Sequence, residues 1–283
     1  MPELIIRRVL SNNAVLAAEN CSEAGERILV GKGIGFSKKP GDYVEHSGGS
    51  REYVELSEQH RALLEGLSSI DGATFHVISA SIDVASDVLG KLHPSVYLIL
   101  AEHLSFAVQR VGRGETIRNS LVVEIKAVVP EEFSAAELVV NYLNTHLDSI
   151  VLPIDEAAFI ALHLHAARTG GTVKQPLAVA NAIGQVTAKA HRLLRTPAEA
   201  GNDALSMELA LAYRRLQRKQ LRHNVLLASV EKLLPHEYAV AAELLTDLSG
   251  EPQLPLSARG EAAFLAVFLH GWTQENVNKR RDR

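Results

Sequence analysis

The chain has 283 residues, of which 47% are hydrophobic and 22% charged, with a formal net charge of −4. That length exceeds one ordinary core, so two or three domains are expected, in a chain of globular composition. One cysteine, Cys21, excludes a disulfide framework and a cysteine-based zinc site, and the negative balance confines any nucleic-acid site to a local patch.

The opening "MPELIIRRVLSNN" carries Glu3 and early arginines around a short apolar run, which is no signal peptide. No run reaches the ~18–20 apolar residues of a membrane helix, so a cytoplasmic protein without membrane insertion is expected. The runs "LIIRRV", "AVLAAEN", "ERILVGKGIGF" and "YVEL" read as short strands between the turn formers "SNN", "SEAG" and "KKPGD". A small antiparallel sheet of three or four strands over residues 1–57 follows. Residues 58–70 are polar and helix-prone, and read as a linker.

From residue 71 the apolar spacing changes to three and four. "SASIDVASDVLGKLH", "SVYLILAEHLSFAVQRVGRG" and "SAAELVVNYLNTHLD" predict helices, punctuated by Pro94, Pro130 and Pro153. "RTGGTVKQP", residues 168–176, marks a boundary between helical domains at 71–171 and 172–280. The tail "NKRRDR" reads as a solvated end.

The two helical regions are copies of each other. "EAAFIALHLH" (156–165) recurs as "EAAFLAVFLH" (261–270), and "EHLSFAVQR" (102–110) as "MELALAYRR" (207–215), both at an offset of 105. Within these segments the first copy has His103 and His163 where the second has Glu208 and Phe268, whereas His165 and His270 are shared. Two helical residues two apart point roughly 200° apart, so His163 and His165 cannot serve one site. The shared pair reads as packing or capping. His103 and His163 have three readings from the residues alone: half-buried core histidines, ligands of a metal-dependent hydrolase, or imidazoles that accept a phosphoryl group with Arg110 as counter-charge. The hydrolase reading lacks an H-E-x-x-H or an adjacent His-Asp pair.

The N-terminal segment carries nucleic-acid chemistry. Asn12 and Asn13 in a tight turn can reach base edges or sugars, "GKGIGF" presents bare backbone beside Lys32 and Phe36, and Lys38 and Lys39 suit phosphates. Against it, residues 1–58 hold seven Lys/Arg and nine Asp/Glu, a net of −2, and Phe36 could be a core residue. A DNA-binding alternative lacks a helix-turn-helix before residue 60. So small a domain is short of core, for which dimerisation is a natural remedy.

Taken together, "VLSNNAV", "GKGIGFSKKPGD", "EHLSFAVQR" and "DEAAFIALHLH" resemble the BglG/SacY-type transcriptional antiterminators over essentially the whole chain. The resemblance implies a mainly α protein with a small N-terminal all-β domain, an RNA-binding sheet followed by two homologous helical-bundle regulation domains. It implies RNA contacts from Asn13, Gly31, Lys32, Gly33 and Phe36, with Asn12 nearby, and phosphorylation of His103 and His163. It further implies an mRNA leader hairpin and a sugar-specific phosphotransferase transporter as partners, a homodimer, no catalytic residues and no metal or other cofactor. Where the family often has arginine the chain has Lys32, which lacks the planar fork. Glu208 and Phe268 cannot take a phosphoryl group as histidine does. Two readings of the second helical domain follow: a fixed charge at Glu208 in place of a phosphohistidine, or a domain that has become a dimerisation scaffold.

Overall fold

The computed structural model describes residues 4–19, 26–44, 52–55, 71–148, 150–197 and 202–278. It begins with five strands, β1 (Leu4–Val9), β2 (Ala14–Glu19), β3 (Arg27–Val30), β4 (Tyr43–Val44) and β5 (Glu52–Glu55), in the antiparallel order β4-β1-β2-β3-β5. Alternation decides the faces. Leu4 and Ile6 of β1 join Val15, Ala17, Leu29 and Val44 in one small core. The other face of β2, Ala14, Leu16 and Ala18, is buried too. The β1–β2 register slips between Ile6 and Arg8, a bulge, and the Arg8 guanidinium lies 4.8 Å from the centre of the Phe75 ring.

Two expectations for this region need adjusting. The two-residue β4 is a fifth strand that its length hides from pattern reading. The run "ERILVGKGIGF" is a strand only to Val30. Beyond it Gly33 has φ +70°, a left-handed conformation that glycine adopts without strain and that turns the chain out of the sheet. The expected linker, residues 58–70, falls outside the described residues.

Ten α-helices follow among the described residues. The first five are α1 (Gly72–Leu89), α2 (Val96–Gly112), α3 (Val122–Val128), α4 (Pro130–His146) and α5 (Ile154–Thr169). The second five are α6 (Lys174–Leu194), α7 (Asn202–Arg218), α8 (Leu227–Leu233), α9 (Pro235–Ser249) and α10 (Arg259–Asn278). Starts at 122, 130 and 154 recur at 227, 235 and 259, the same offset of 105. The signals are local. Asp71 caps α1 by accepting from Thr74 N at 2.9 Å. Proline supplies the first residue of α4 and α9, and Gly170 and Gly250 end α5 and α9 in the left-handed conformation. Short α3 and α8 had no signal strong enough to single out in the sequence. Helix α4 begins at Pro130, four residues before the predicted "SAAEL" run, because its acidic first turn, Glu131 and Glu132, suits a helix N-terminus.

The chain divides into two compact units, residues 1–119 with 129–175, and residues 120–128 with 176–283. In the first, α4 packs on α1 and α5, and α2 on α1 and α5. Helix α5 is buried nearly all round, with Ala157, Ala158, Ile160, Ala161, Leu162 and Leu164 inside, which suits the central element of a bundle. In the second, α10 packs on α9 and α8, and α7 on α3 and α9, around a core that includes Leu209, Leu244, Leu269 and Trp272. Among the described residues no helix is long and apolar enough to cross a membrane.

Candidate functional sites

Two turns on the sheet carry the N-terminal candidates. Residues 11–13 join β1 to β2, and residues 31–37 follow β3. They are tied together: Gly31 N donates to Asn13 O at 2.9 Å, Gly35 N to Asn12 O at 2.9 Å, and Gly33 N to the Asn13 side-chain Oδ1 at 2.8 Å. Asn13 therefore spends its side-chain carbonyl on shaping the glycine turn. Gly35, which sequence reading left aside, is where the turns touch. A Cβ there would lie 2.1 Å from the Ser11 carbonyl oxygen, well inside contact distance.

The remaining candidates face outward. Phe36 is 67% exposed, which rules out the core reading and leaves its ring free to stack. Asn12, Lys32 and Gly33 are exposed, and Asn13, Gly31 and Lys38 half-buried. Lys38 Nζ reaches the Tyr43 carbonyl at 3.4 Å. An apolar body beneath exposed amides, cations and one aromatic can hold a phosphate backbone and one stacked base.

In the first helical domain the fold brings together two histidines 60 residues apart in sequence. His103 on α2 and His163 on α5 have ring centres 5.9 Å apart, and Phe159 lies 5.9 Å from His103. Beneath them is Glu156, fully buried, paired with Arg110 and 3.2 Å from His103 Nε2. A buried carboxylate is tolerable only with such partners. Burial pushes Glu156 upward, but His103 and Arg110 outweigh it and hold the carboxyl below its ordinary range.

The site is under-satisfied. His103 Nε2 and Glu156 Oε2 approach each other off the hydrogen-bonding axis, and with Arg110 Nε they are three of the five buried side-chain polar atoms without a hydrogen bond among the described residues. Burial, and then the neighbouring His103, push His163 down to about 4. Its imidazole is neutral at neutral pH, the form with a free ring lone pair. Each histidine opens onto space: His103 lines a cavity of about 520 Å³ with Phe106, Arg113 and Ile117, and His163 one of about 420 Å³ with His93 and Ser95.

The second domain rebuilds this site without histidine. Glu261 replaces Glu156 and Arg215 replaces Arg110, still bonded at 3.0 Å through Arg215 Nε. At the offset of 105 Glu208 stands for His103 and Arg222 for Ile117. Arg222 donates to Glu261 from its backbone N at 2.7 Å and its guanidinium at 2.8 Å. Glu208 lies 3.2 Å from Arg215 and 3.5 Å from Arg222. The Arg222 guanidinium sits 4.3 Å from the centre of the Phe264 ring, the counterpart of Phe159. Two carboxylates face two guanidiniums, and none of these side chains has a buried atom left unsatisfied. Only the conserved offset would have found Arg222 in the sequence.

His165 and His270 bond to matching carboxylates, Glu132 at 3.3 Å and Glu237 at 2.8 Å, and the carboxylates obey the same offset. These pairs join α5 to α4 and α10 to α9, which explains why both copies keep the histidine. Among the described residues no cluster of three or more His, Cys, Asp or Glu side chains could hold a metal ion.

Two family models match. The CAT RNA binding domain covers residues 4–62 and the PRD domain residues 83–167. Protein GlcT of Staphylococcus aureus strain bovine RF122 / ET3-1 is 28% identical over 292 residues, spanning 99% of this chain and all of that one. Protein GlcT of strain Newman is 27% identical over the same span. A crystal structure titled GlcT CAT-PRDI is 29% identical, covers 59% of this chain and 99% of its own, and superposes with a TM-score of 0.45.

Proposed function

The chain belongs to the BglG/SacY-type transcriptional antiterminators, RNA-binding regulators controlled by phosphorylation from the sugar phosphotransferase system, and from that premise we propose which residues work the switch. The set Asn12, Asn13, Gly31, Lys32, Gly33, Phe36 and Lys38 contacts a hairpin in an mRNA leader. Holding that hairpin excludes an overlapping terminator and lets transcription run into sugar-utilisation genes. His103 and His163 accept phosphoryl groups from a sugar-specific transporter. The ring lone pair of a neutral histidine forms the new N–P bond while the donor's bond to phosphorus breaks and leaves its electron pair on the donor.

The observation that carries this reading is the convergence of His103 and His163 over the buried Glu156–Arg110 pair. A phosphoryl group adds a charge of about −1.5 to −2 beside a carboxylate already buried there. That repulsion is relieved by moving helices, and in a cytoplasmic homodimer the movement opens the interface and weakens RNA binding. The protein then acts as a phosphorylation substrate and not as an enzyme. The division into residues 1–57, 71–171 and 172–280 belongs to the same proposal. The second helical domain, with Glu208 and Phe268, takes no phosphoryl group.

The test uses a labelled transcript of the leader preceding the nearest sugar-transporter gene. Gel-shift affinity should fall in Asn13→Ala and Phe36→Ala, and wild-type binding no tighter than either would end the RNA assignment. In a reporter strain His103→Asp should be inactive and His103→Ala active whatever the sugar. Wild-type behaviour of both would remove His103 from the switch.

A further inference from the structure

The base of the RNA-contact turns is held by a residue outside the sheet. Asp83, on α1 of the helical bundle, is buried. Its Oδ1 accepts from Ser11 Oγ at 2.9 Å and its Oδ2 from the Asn12 backbone N at 3.1 Å. Ser11 Oγ in turn accepts from Asn13 N at 3.0 Å. Through the bonds from Gly33 and Gly35 to Asn13 and Asn12 the same anchor reaches the glycine turn. One carboxylate, some 70 residues along the chain, thus fixes the backbone of both turns, while the side chains of Asn12, Lys32 and Phe36 stay exposed above it. Asp83 supports the surface without covering it.

The same carboxylate also touches the helix that carries His103. Oδ1 also accepts from the Tyr97 hydroxyl at 3.2 Å, and Tyr97 lies on α2, six residues before His103. The junction is not close-packed throughout. A cavity of about 290 Å³ lies there, lined from the sheet domain by Ser11, Asn12 and Gly35 and from α1 by Phe75 and Ser79, and Ser79 Oγ is buried without a hydrogen bond. A junction with such space can adopt a second arrangement, whereas a filled one cannot.

We propose that Asp83 is the positioning residue through which the first helical domain holds the RNA-contact turns in their binding shape, and through which a charge on His103 weakens RNA binding. Its second half rests on the phosphorylation reading above. A shift of α2 moves Tyr97, Asp83 loses or changes a donor, and the turn at residues 11–13 loses the acceptor for Asn12 N. Coupling here needs no long-range wire, only one carboxylate shared by three donors on two domains.

The experiment is a double-mutant cycle on the full chain, read by gel-shift affinity for the leader transcript. Asp83→Ala should weaken binding about tenfold, the size expected when a hydrogen bond to a charged acceptor is lost. Asp83→Asn, which keeps one acceptor oxygen, should recover part of that loss. In the Asp83→Ala background His103→Asp should produce little further loss, less than about threefold. Ser11→Ala removes the relay with less disturbance and should give a smaller loss in the same direction. Wild-type affinity in Asp83→Ala and Ser11→Ala would overturn the positioning role, and fully additive losses with His103→Asp would overturn the coupling. Should His103→Asp leave affinity unchanged even with Asp83 intact, the phosphorylation reading and the coupling fail together. The Asp83→Ala and Asp83→Asn comparison still decides the positioning role by itself.

Discussion

The depressed His163 predicts a pH dependence that its counterpart Phe268 can remove. His163 titrates near 4 in the folded chain and at about 6.5 when unfolded. Between those values the unfolded chain binds the extra proton, so stability falls as pH falls. The contribution is fully present above pH 6.5, declines below it, and is lost once the pH drops through about 4. The whole shift corresponds to about 3 kcal/mol, and linkage gives a loss of about 2 kcal/mol by pH 5. His163→Phe copies the second domain and has nothing to protonate. Its stability relative to wild type should therefore rise by about 2 kcal/mol between pH 7.5 and 5. The choice of assay follows from the fold. The only tryptophan, Trp272, lies in the second unit, so its fluorescence serves as an internal control. Hydrogen–deuterium exchange over α2 and α5 reads the first. Identical pH dependence of exchange in wild type and His163→Phe would refute the depressed imidazole.

Other outcomes follow from the same geometry. Arg222→Ile leaves Glu208 and Glu261 competing for Arg215 and should lower the unfolding midpoint of the second unit. Adding Glu208→His, which rebuilds the first-domain arrangement, should restore much of it, whereas additive losses in calorimetry would show that the two residues are not compensating. Glu156→Gln strands Arg110 and should cost about 3 kcal/mol, read as faster exchange of α5 with α10 unchanged. Gly35→Ala drives a Cβ into the Ser11 carbonyl and should abolish binding of the leader transcript. Gly33→Ala meets open space and should cost only the ~1 kcal/mol of a left-handed non-glycine residue.

The duplicated domain was legible because a helix repeats its apolar spacing wherever it occurs, and two segments at one offset betray a copy. The motifs "SNN" and "GKGIGF" were legible for a similar reason: turns write their chemistry into a few adjacent residues. Legibility ended where partners come from different elements. Asp83 reads as an ordinary polar residue in an amphipathic helix, yet it closes the base of a turn in another domain. Arg222 lies between helices with no motif around it, yet it replaces what His103 and Ile117 do in the first copy.

By itself, then, the sequence determined a small sheet, two related helical bundles, and the difference of His103 and His163 from Glu208 and Phe268. Those are properties of local spacing and of comparison within one chain. Only the tertiary structure decided that the two histidines meet, that they meet over a buried carboxylate, and that the second copy satisfies the same carboxylate with arginine. Burial removes water as a partner, so each buried charge must find its complement across the fold. Which complement it finds is fixed by packing between helices and not by neighbours in sequence.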